Sequence, residues 1–216
     1  LYVVFLAGGI ASGKSTVSAE LVRLGAWRLD LDEVSRSVCS TGSPTTLALA
    51  DRFGDDVVDP LTGELDRHLL AERAFSSPEG VSSLEAIEMP AIRSELVHAL
   101  TNSCCAATEP EVCVVEVPLL DRVADLVDLA DEVLVISSPL ETRRQRACGR
   151  GMDVADFDRR VSAQPSDAYL VGHADTVIDN SDGREHLIGR VRSWWRSHVA
   201  DGWTSPRKVG TEGRRS

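Results

Sequence analysis

The sequence predicts an α/β protein: a parallel sheet with helices on both faces. Three observations point there. Five short apolar runs, at 2–7, 27–31, 111–120, 131–137 and 175–180, alternate with stretches of helical spacing. Their near-continuous hydrophobicity is that of strands buried on both sides. The first run feeds AGGIASGKST, residues 7–16, whose spacing of Gly8, four residues, Gly13, Lys14 and Ser15 is that of a phosphate-binding loop. Acids and glycines fall at the carboxyl ends of the predicted strands, where such sheets bind ligands.

Taken in order, 2–7 reads as a buried strand ending at Gly8-Gly9, and 15–24 as a helix with Val17, Leu21 and Leu24 on one face, stopped by Gly25. WRLDL (27–31) is a second strand ending in acids. The stretch 33–108 reads mainly as helices; Ser77-Pro78-Glu79 starts one, and Pro90 should kink or break it. EVCVVEVPLL (111–120) and DEVLVIS (131–137) are the third and fourth strands. SPLE (138–141) has the form of a capping box with proline at the first helical position, opening an Arg-bearing helix. DTVIDN (175–180) is the fifth strand, followed by the turn Ser181-Asp182-Gly183. A last helix over 184–199 points Leu187, Val191, Trp194 and Trp195 toward the core, and the polar residues 202–216 are expected to form a flexible tail. No internal repeat or low-complexity block interrupts this order.

The totals narrow the function. A chain of 216 residues, 43% hydrophobic, suits one compact domain, or one with sizeable inserts. A net charge of −11 argues against bulk binding to nucleic acid or anionic membranes, both of which need a broad positive field. No apolar run approaches the roughly 20 residues that span a bilayer. The five cysteines (39, 104, 105, 113, 148) form no Cys-x-x-Cys, and Cys104 and Cys105 are adjacent, a poor arrangement for a bridging disulfide. We therefore expect a reduced, cytoplasmic protein without a zinc site. The five histidines lack metal-binding spacing.

Four features carry chemistry. In the glycine loop, successive backbone N–H groups and the next helix N-terminus make an anion cradle; Gly8, Gly9 and Gly13 let backbone approach phosphate without a Cβ. Lys14 can reach the β- and γ-phosphates of a nucleotide and the Ser15 hydroxyl can ligate Mg²⁺. Asp30 and Asp32 alternate by two, so in a strand both face one side, where one can accept a hydroxyl proton and the other hold Mg²⁺ or its waters; a solvated strand end or a helix cap is the alternative. Glu116 ends an apolar strand as a Walker B acid does, and could hold Mg²⁺ through water or simply terminate the strand. Arg143, Arg146 and Arg150 fall at i, i+3 and i+7. With Arg144, Arg159 and Arg160 they give a local excess of positive charge, suited to a lid over phosphates or to a salt-bridged surface helix.

Later motifs make the reading more specific. GGIASGKSTV, GAWRLDLDEVSRSV, GELDRHLLAERAF (63–75), LEAIEMPAI (84–92), VVEVPLL (114–120), QRACGR (145–150), RVSAQ (160–164) and ADTVIDN (174–180) follow one another as in the dephospho-CoA kinase family, which the chain resembles from Tyr2 to about Trp195. The resemblance implies a three-layer P-loop kinase fold with a five-stranded parallel sheet, a helical substrate-binding insert and an Arg-rich lid. It divides the chain into a core (1–32, 109–137, 174–201), an insert (33–108) and a lid (138–173). It implies ATP-dependent phosphorylation of the ribose 3′-hydroxyl of dephospho-CoA with Mg²⁺, on small-molecule substrates alone. In that scheme Gly9, Ile10, Ala11, Ser12, Gly13, Lys14, Ser15 and Thr16 cradle ATP, with Ser15 on the metal, and Asn180 leads into the loop that approaches adenine. Asp32 is the base, and Lys14, Arg146 and Arg150 serve the transfer. Asp30, Asp32, Arg67, Glu116, Pro118 and Leu119 face the acceptor. The chain departs from the family's usual pattern at Ala7 (Thr), Met89 (His), and Asp121-Arg122. A shikimate- or nucleotide-kinase-like enzyme is the nearest alternative. A regulatory ATPase or GTPase is more distant, since no Asn-Lys-x-Asp motif for guanine occurs.

Overall fold

The computed structural model describes residues 1–102 and 112–207; Cys104, Cys105 and residues 208–216 lie outside them. The described residues fall into two compact units: 1–30 with 112–207, and 31–102.

The first unit is a five-stranded, all-parallel sheet in the order β2-β3-β1-β4-β5. Its strands are β1 (Tyr2–Ala7), β2 (Trp27–Asp30), β3 (Val112–Glu116), β4 (Glu132–Ser137) and β5 (Thr176–Asp179). β1 lies in the middle and is buried along its whole length, which is why its run is uninterrupted. Tyr2, Val4 and Leu6 face α1 (Lys14–Arg23) and α9 (Arg184–Ala200), packing with Val17, Leu21, Leu187, Val191 and Trp194. Val3 and Phe5 point to the other face, where a 3₁₀ segment (Leu120–Leu129) lies along β1 and α8 (Asp167–Gly172) along β4. The fold is the three-layer α/β arrangement predicted, and no helix among the described residues is long and apolar enough to cross a membrane.

The second unit is helical: α2 (Leu31–Val38), α3 (Pro44–Phe53), α4 (Arg67–Ala74) and α5 (Pro78–Asn102) close around Leu49, Phe53, Leu70, Ala74 and Leu84. Its caps are written in the sequence: Ser43 accepts from Thr46, Asp66 from His68 and Leu69, and Ser77 from Gly80. α5 runs unbroken through Pro90, contrary to the expected break. Proline costs the Ala86 carbonyl its N–H partner, but both residues are exposed, so water can satisfy that carbonyl. Leu84, Ile92 and Leu96 hold the helix down on either side.

Three other expectations are corrected. Strand β2 ends at Asp30, so Asp32 is not on the strand; it sits in the first turn of α2, where a carboxylate is favoured by the helix dipole. The SPLE segment forms no capping box: the N-cap is Pro139, α6 (Leu140–Cys148) follows, and the Ser138 hydroxyl is spent on the Asn180 carbonyl. Residues 202–207 pack rather than fray. Trp203 leans on Tyr2 and Trp195, and Ser205 donates to the Asp131 carbonyl. Between α6 and α8 lies α7 (Val154–Ser162), capped by Asp153.

Candidate functional site

The phosphate loop leaves the carboxyl end of β1 and enters α1 at Lys14. Gly13 is the N-cap, with φ 113°, and a Cβ there would lie 2.5 Å from Asn180 Nδ2; only glycine fits on both counts. The Asn180 amide donates to the Ser12 carbonyl (2.6 Å), so the end of β5 pins the loop. Lys14 Nζ donates to the carbonyls of Gly8 and Gly9, the latter at 3.2 Å. The N–H groups of Ala11, Gly13 and Ser15 find no acceptor among the described residues, nor does the buried Ser12 hydroxyl. Donors left open in a glycine loop, at a helix N-terminus and beside a lysine, are the chemistry of a phosphate cradle. The Ser15 hydroxyl is exposed at the start of α1, where it can ligate a hard cation.

Beside the loop is a cavity of about 420 Å³. Ala11, Gly13 and Thr16 line one side, Arg146, Gly149 and Arg150 another, and Asn180, Gly183, Arg184 and Leu187 a third. The six arginines of the 143–164 segment divide between a cavity-lining set and a salt-bridged set. Arg143, Arg144, Arg159 and Arg160 are the salt-bridged kind, paired with Asp167, Asp158 and Asp156. Arg146 and Arg150 reach only neutral groups: Arg146 donates to Ser138 Oγ and the Asn180 carbonyl, and Arg150 to the Arg146 carbonyl. Neither has a carboxylate within ion-pair distance among the described residues.

Arg143 therefore does not join Arg146 and Arg150 on a common functional face. It is buried, bonded to the Ser138 carbonyl and twice to Asp167. Its guanidinium lies so close to Gly9 that a Cβ there would come within 1.9 Å. Arg150 also leaves the shared helical face, because α6 ends at Cys148 and the chain turns through Gly151 at φ 91°. The turn nevertheless returns Arg150 to the cavity. A further loop contact is the Ile10 N–H donating to Oε1 of Gln164, the last residue of the RVSAQ motif, at 2.7 Å.

At the carboxyl ends of β2 and β3, Asp30 and Glu116 are register partners. Adjacent like charges repel, and Arg28 bridges them, with Nε 2.6 Å from Glu116 and Nη2 3.0 Å from Asp30. Arg28 is not among the residues expected from sequence; its signal is a cation two residues before an acid in a strand, on the same face. Pro118 and Leu119 follow β3 half-buried, leading into the 3₁₀ segment.

In the helical unit, Asp32 is exposed at the start of α2, and Arg67 is the first residue of α4, donating to the Arg36 carbonyl at 3.4 Å. Behind Arg67, burial pushes the Glu88 carboxyl up, opposed by its hydrogen bond from Cys39 and the charge of Arg67. Burial also pushes the Cys39 thiol up to about 12, and that of Cys113 to about 12. Both are protonated and poor nucleophiles. Cys39, Cys113 and Cys148 are free, and no metal-binding cluster occurs among the described residues.

The sequence pattern of the dephospho-CoA kinase family matches residues 2–185. A curated dephospho-CoA kinase of Corynebacterium jeikeium is 41% identical over 191 residues, 88% of this chain and 96% of that one. Among solved structures, TT1252 from Thermus thermophilus superposes with a TM-score of 0.74 at 28% identity, covering 91% of this chain and 97% of that one. Dephospho-CoA kinase from Campylobacter jejuni gives 0.67 at 19% identity, covering 93% and 98%, and shares the fold. The chain belongs to the dephospho-CoA kinase family.

Proposed function

We propose that this chain transfers the γ-phosphoryl group of ATP to the ribose 3′-hydroxyl of dephospho-CoA, giving CoA and ADP, the last step of coenzyme A synthesis. The observation that carries the reading is the set of open loop donors facing a cavity whose arginines, in a chain of charge −11, lack carboxylate partners among the described residues. Family membership supplies the acceptor.

Phosphoryl transfer depends mainly on positioning and charge neutralisation. The N–H groups of the loop, with Lys14, hold the β- and γ-phosphates. Arg146 and Arg150 neutralise charge on the transferring group, since no carboxylate among the described residues pairs with either. Asn180 fixes the loop through Ser12 and holds Arg146 through its carbonyl. Mg²⁺, when bound, neutralises charge between the phosphates. The Ser15 hydroxyl and the carboxylates of Asp30 and Glu116 are the hard oxygen donors suited to it. Asp32 accepts the proton of the ribose hydroxyl as its oxygen bonds to the γ-phosphorus and the bond to the β,γ-bridging oxygen breaks; ADP leaves with that electron pair. Arg67, Pro118 and Leu119 contact the acceptor.

ADP release measured with dephospho-CoA, shikimate and nucleoside monophosphates tests the reading. Release stimulated by dephospho-CoA alone supports it, and stimulation by shikimate or a nucleotide instead contradicts it. Asp32→Asn should lower kcat by about 100-fold or more while leaving ATP affinity within about twofold. Near-normal kcat would remove Asp32 as the base.

A further inference from the structure

Arg28 serves no step of the proposed transfer, yet it joins the two carboxylates suited to the metal. It stands on β2, an edge strand of the sheet, where Arg28 and Asp30 share a face. In register, Arg28 lies beside Val114 and Asp30 beside Glu116. Neighbouring strands are about 5 Å apart, so the two acids stand side by side at the ends of their strands. The guanidinium reaches along its own strand to one and across to the other. Nη2 is 3.0 Å from Asp30 Oδ2, and Nε is 2.6 Å from Glu116 Oε1. A cation on an edge strand is at home pointing into solvent. This one is turned onto both acids while 43% of its side chain stays exposed.

The donor set fits a hard divalent cation. Asp30 and Glu116 supply carboxylate oxygens, and β3, which carries Glu116, runs beside β1, whose carboxyl end opens the phosphate loop. A guanidinium set between two carboxylates competes with such a cation for the same oxygens. Arg28 is always charged and is tethered within reach. A bare cation must therefore break two charge-assisted hydrogen bonds and meets a pair of acids already half neutralised. A cation carried on nucleotide phosphates brings oxygen ligands and negative charge of its own. Because the guanidinium is partly in solvent, it can leave the acids without stranding a buried charge.

We infer that Arg28 is a positioning residue that holds Asp30 and Glu116 as a pair and keeps a bare divalent cation off them, so that the metal enters with the nucleotide. The assignment rests on the reading of these two acids as metal donors.

Titration of the full chain with Mn²⁺, the free ion being counted by electron paramagnetic resonance, tests the inference. Without nucleotide, Arg28→Met and Arg28→Gln should each bind Mn²⁺ about tenfold more tightly than the parent, because the competing charge is gone. Arg28→Lys keeps that charge and should stay within about threefold of the parent. With saturating ADP the gain in Arg28→Met should shrink to about threefold or less. Adding Glu116→Gln to Arg28→Met should cancel it. Unchanged or weaker Mn²⁺ affinity in a folded Arg28→Met or Arg28→Gln variant would show that Arg28 only ties the strands, and would overturn the inference. So would an equal gain in Arg28→Lys, a gain that survives Glu116→Gln, or one as large with ADP as without it. A purely structural ion pair predicts no gain at all. Absence of saturable Mn²⁺ binding by parent and variants, with and without ADP, would overturn the metal reading of the two acids, and the inference with it. Thermal melting before titration identifies the folded variants, and having two uncharged substitutions keeps the result from hanging on one of them.

Discussion

At the scale of single residues, neighbouring positions of one type do different work, and the partner decides which. Arg143 and Arg146 lie three apart on α6. One is buried against Asp167 and the phosphate loop; the other meets only neutral acceptors and faces the cavity. Gly9 depends on the first. An alanine there would place its Cβ 1.9 Å from Arg143 Nη1 and force out a buried guanidinium bonded to Ser138 and Asp167. Gly9→Ala should therefore destabilise the fold by about 2–4 kcal/mol, read from denaturant unfolding. A change below about 0.5 kcal/mol would show that Arg143 is free to move aside. The sequence marks both arginines as candidates by spacing alone. It cannot separate them, because Asp167 lies 24 positions from Arg143 and meets it only through the fold.

At the scale of elements, α1 and α9 are tied by a carboxylate that no motif announces. Glu20 is buried on α1, taking Arg23 from its own helix and Arg192 from α9. The Arg23 hydrogen bond, then Arg192, hold its carboxyl down at about 2 against an ordinary 4.5, overcoming the burial that would raise it. A depressed carboxylate contributes stability that is present above its unfolded pKa and lost as pH falls through the folded one. Glu20→Gln should thus be less stable than the parent at pH 7 by about 1–2 kcal/mol, allowing for the exposed arginines. That difference should shrink as pH falls from about 4.5 to about 2. Chemical unfolding across that window checks it; a difference independent of pH would mean Glu20 acts through packing. Most elements are legible in the sequence, since apolar runs and capping residues act over a few positions: Ser43, Asp66 and Ser77 cap where they stand. Local preference loses where a distant partner overrides it. Ser138 gives up a cap for Asn180, Pro90 is carried by packing on either side, and β2 stops one residue short because Leu31 opens a helix.

At the scale of the whole sheet, the end opposite the phosphate loop is closed by a buried cluster. The fully buried Glu132 carboxylate accepts from the Tyr2 hydroxyl and Trp194 Nε1 and lies 2.8 Å from His198 Nε2. Trp203 covers the cluster, touching Tyr2, Trp194 and His198, with its backbone at φ 57°, a conformation that bulky residues adopt at a cost. Packing must supply the compensation, so Trp203→Ala should lower stability by about 2–3 kcal/mol. Thermal melting checks this; an unchanged midpoint would show that 202–207 contributes nothing to the fold. Composition alone places this segment in a flexible tail, because its one tryptophan is surrounded by polar residues and its binding surface is assembled from β1, β4 and α9. The candidate site divides the same way. The glycine loop, the spacing of Arg146 and Arg150, and the acids Asp30 and Asp32 are local signals, although Asp32 stands on α2 and not on the strand. What becomes visible only in the fold is the pairing across distant positions: Arg28 with Glu116, and Ile10 with Gln164.

The proposed function turns on one transfer, of a phosphoryl group to a ribose hydroxyl of dephospho-CoA. The purified chain, incubated with ATP, Mg²⁺ and dephospho-CoA, should yield a product whose mass and ³¹P NMR spectrum decide the matter. The expected product is CoA, carrying a new monoester phosphate at the ribose 3′ position, formed in equal amount with ADP and absent with Lys14→Ala. ADP formed without any phosphorylated dephospho-CoA, or a phosphate at another position, would contradict it.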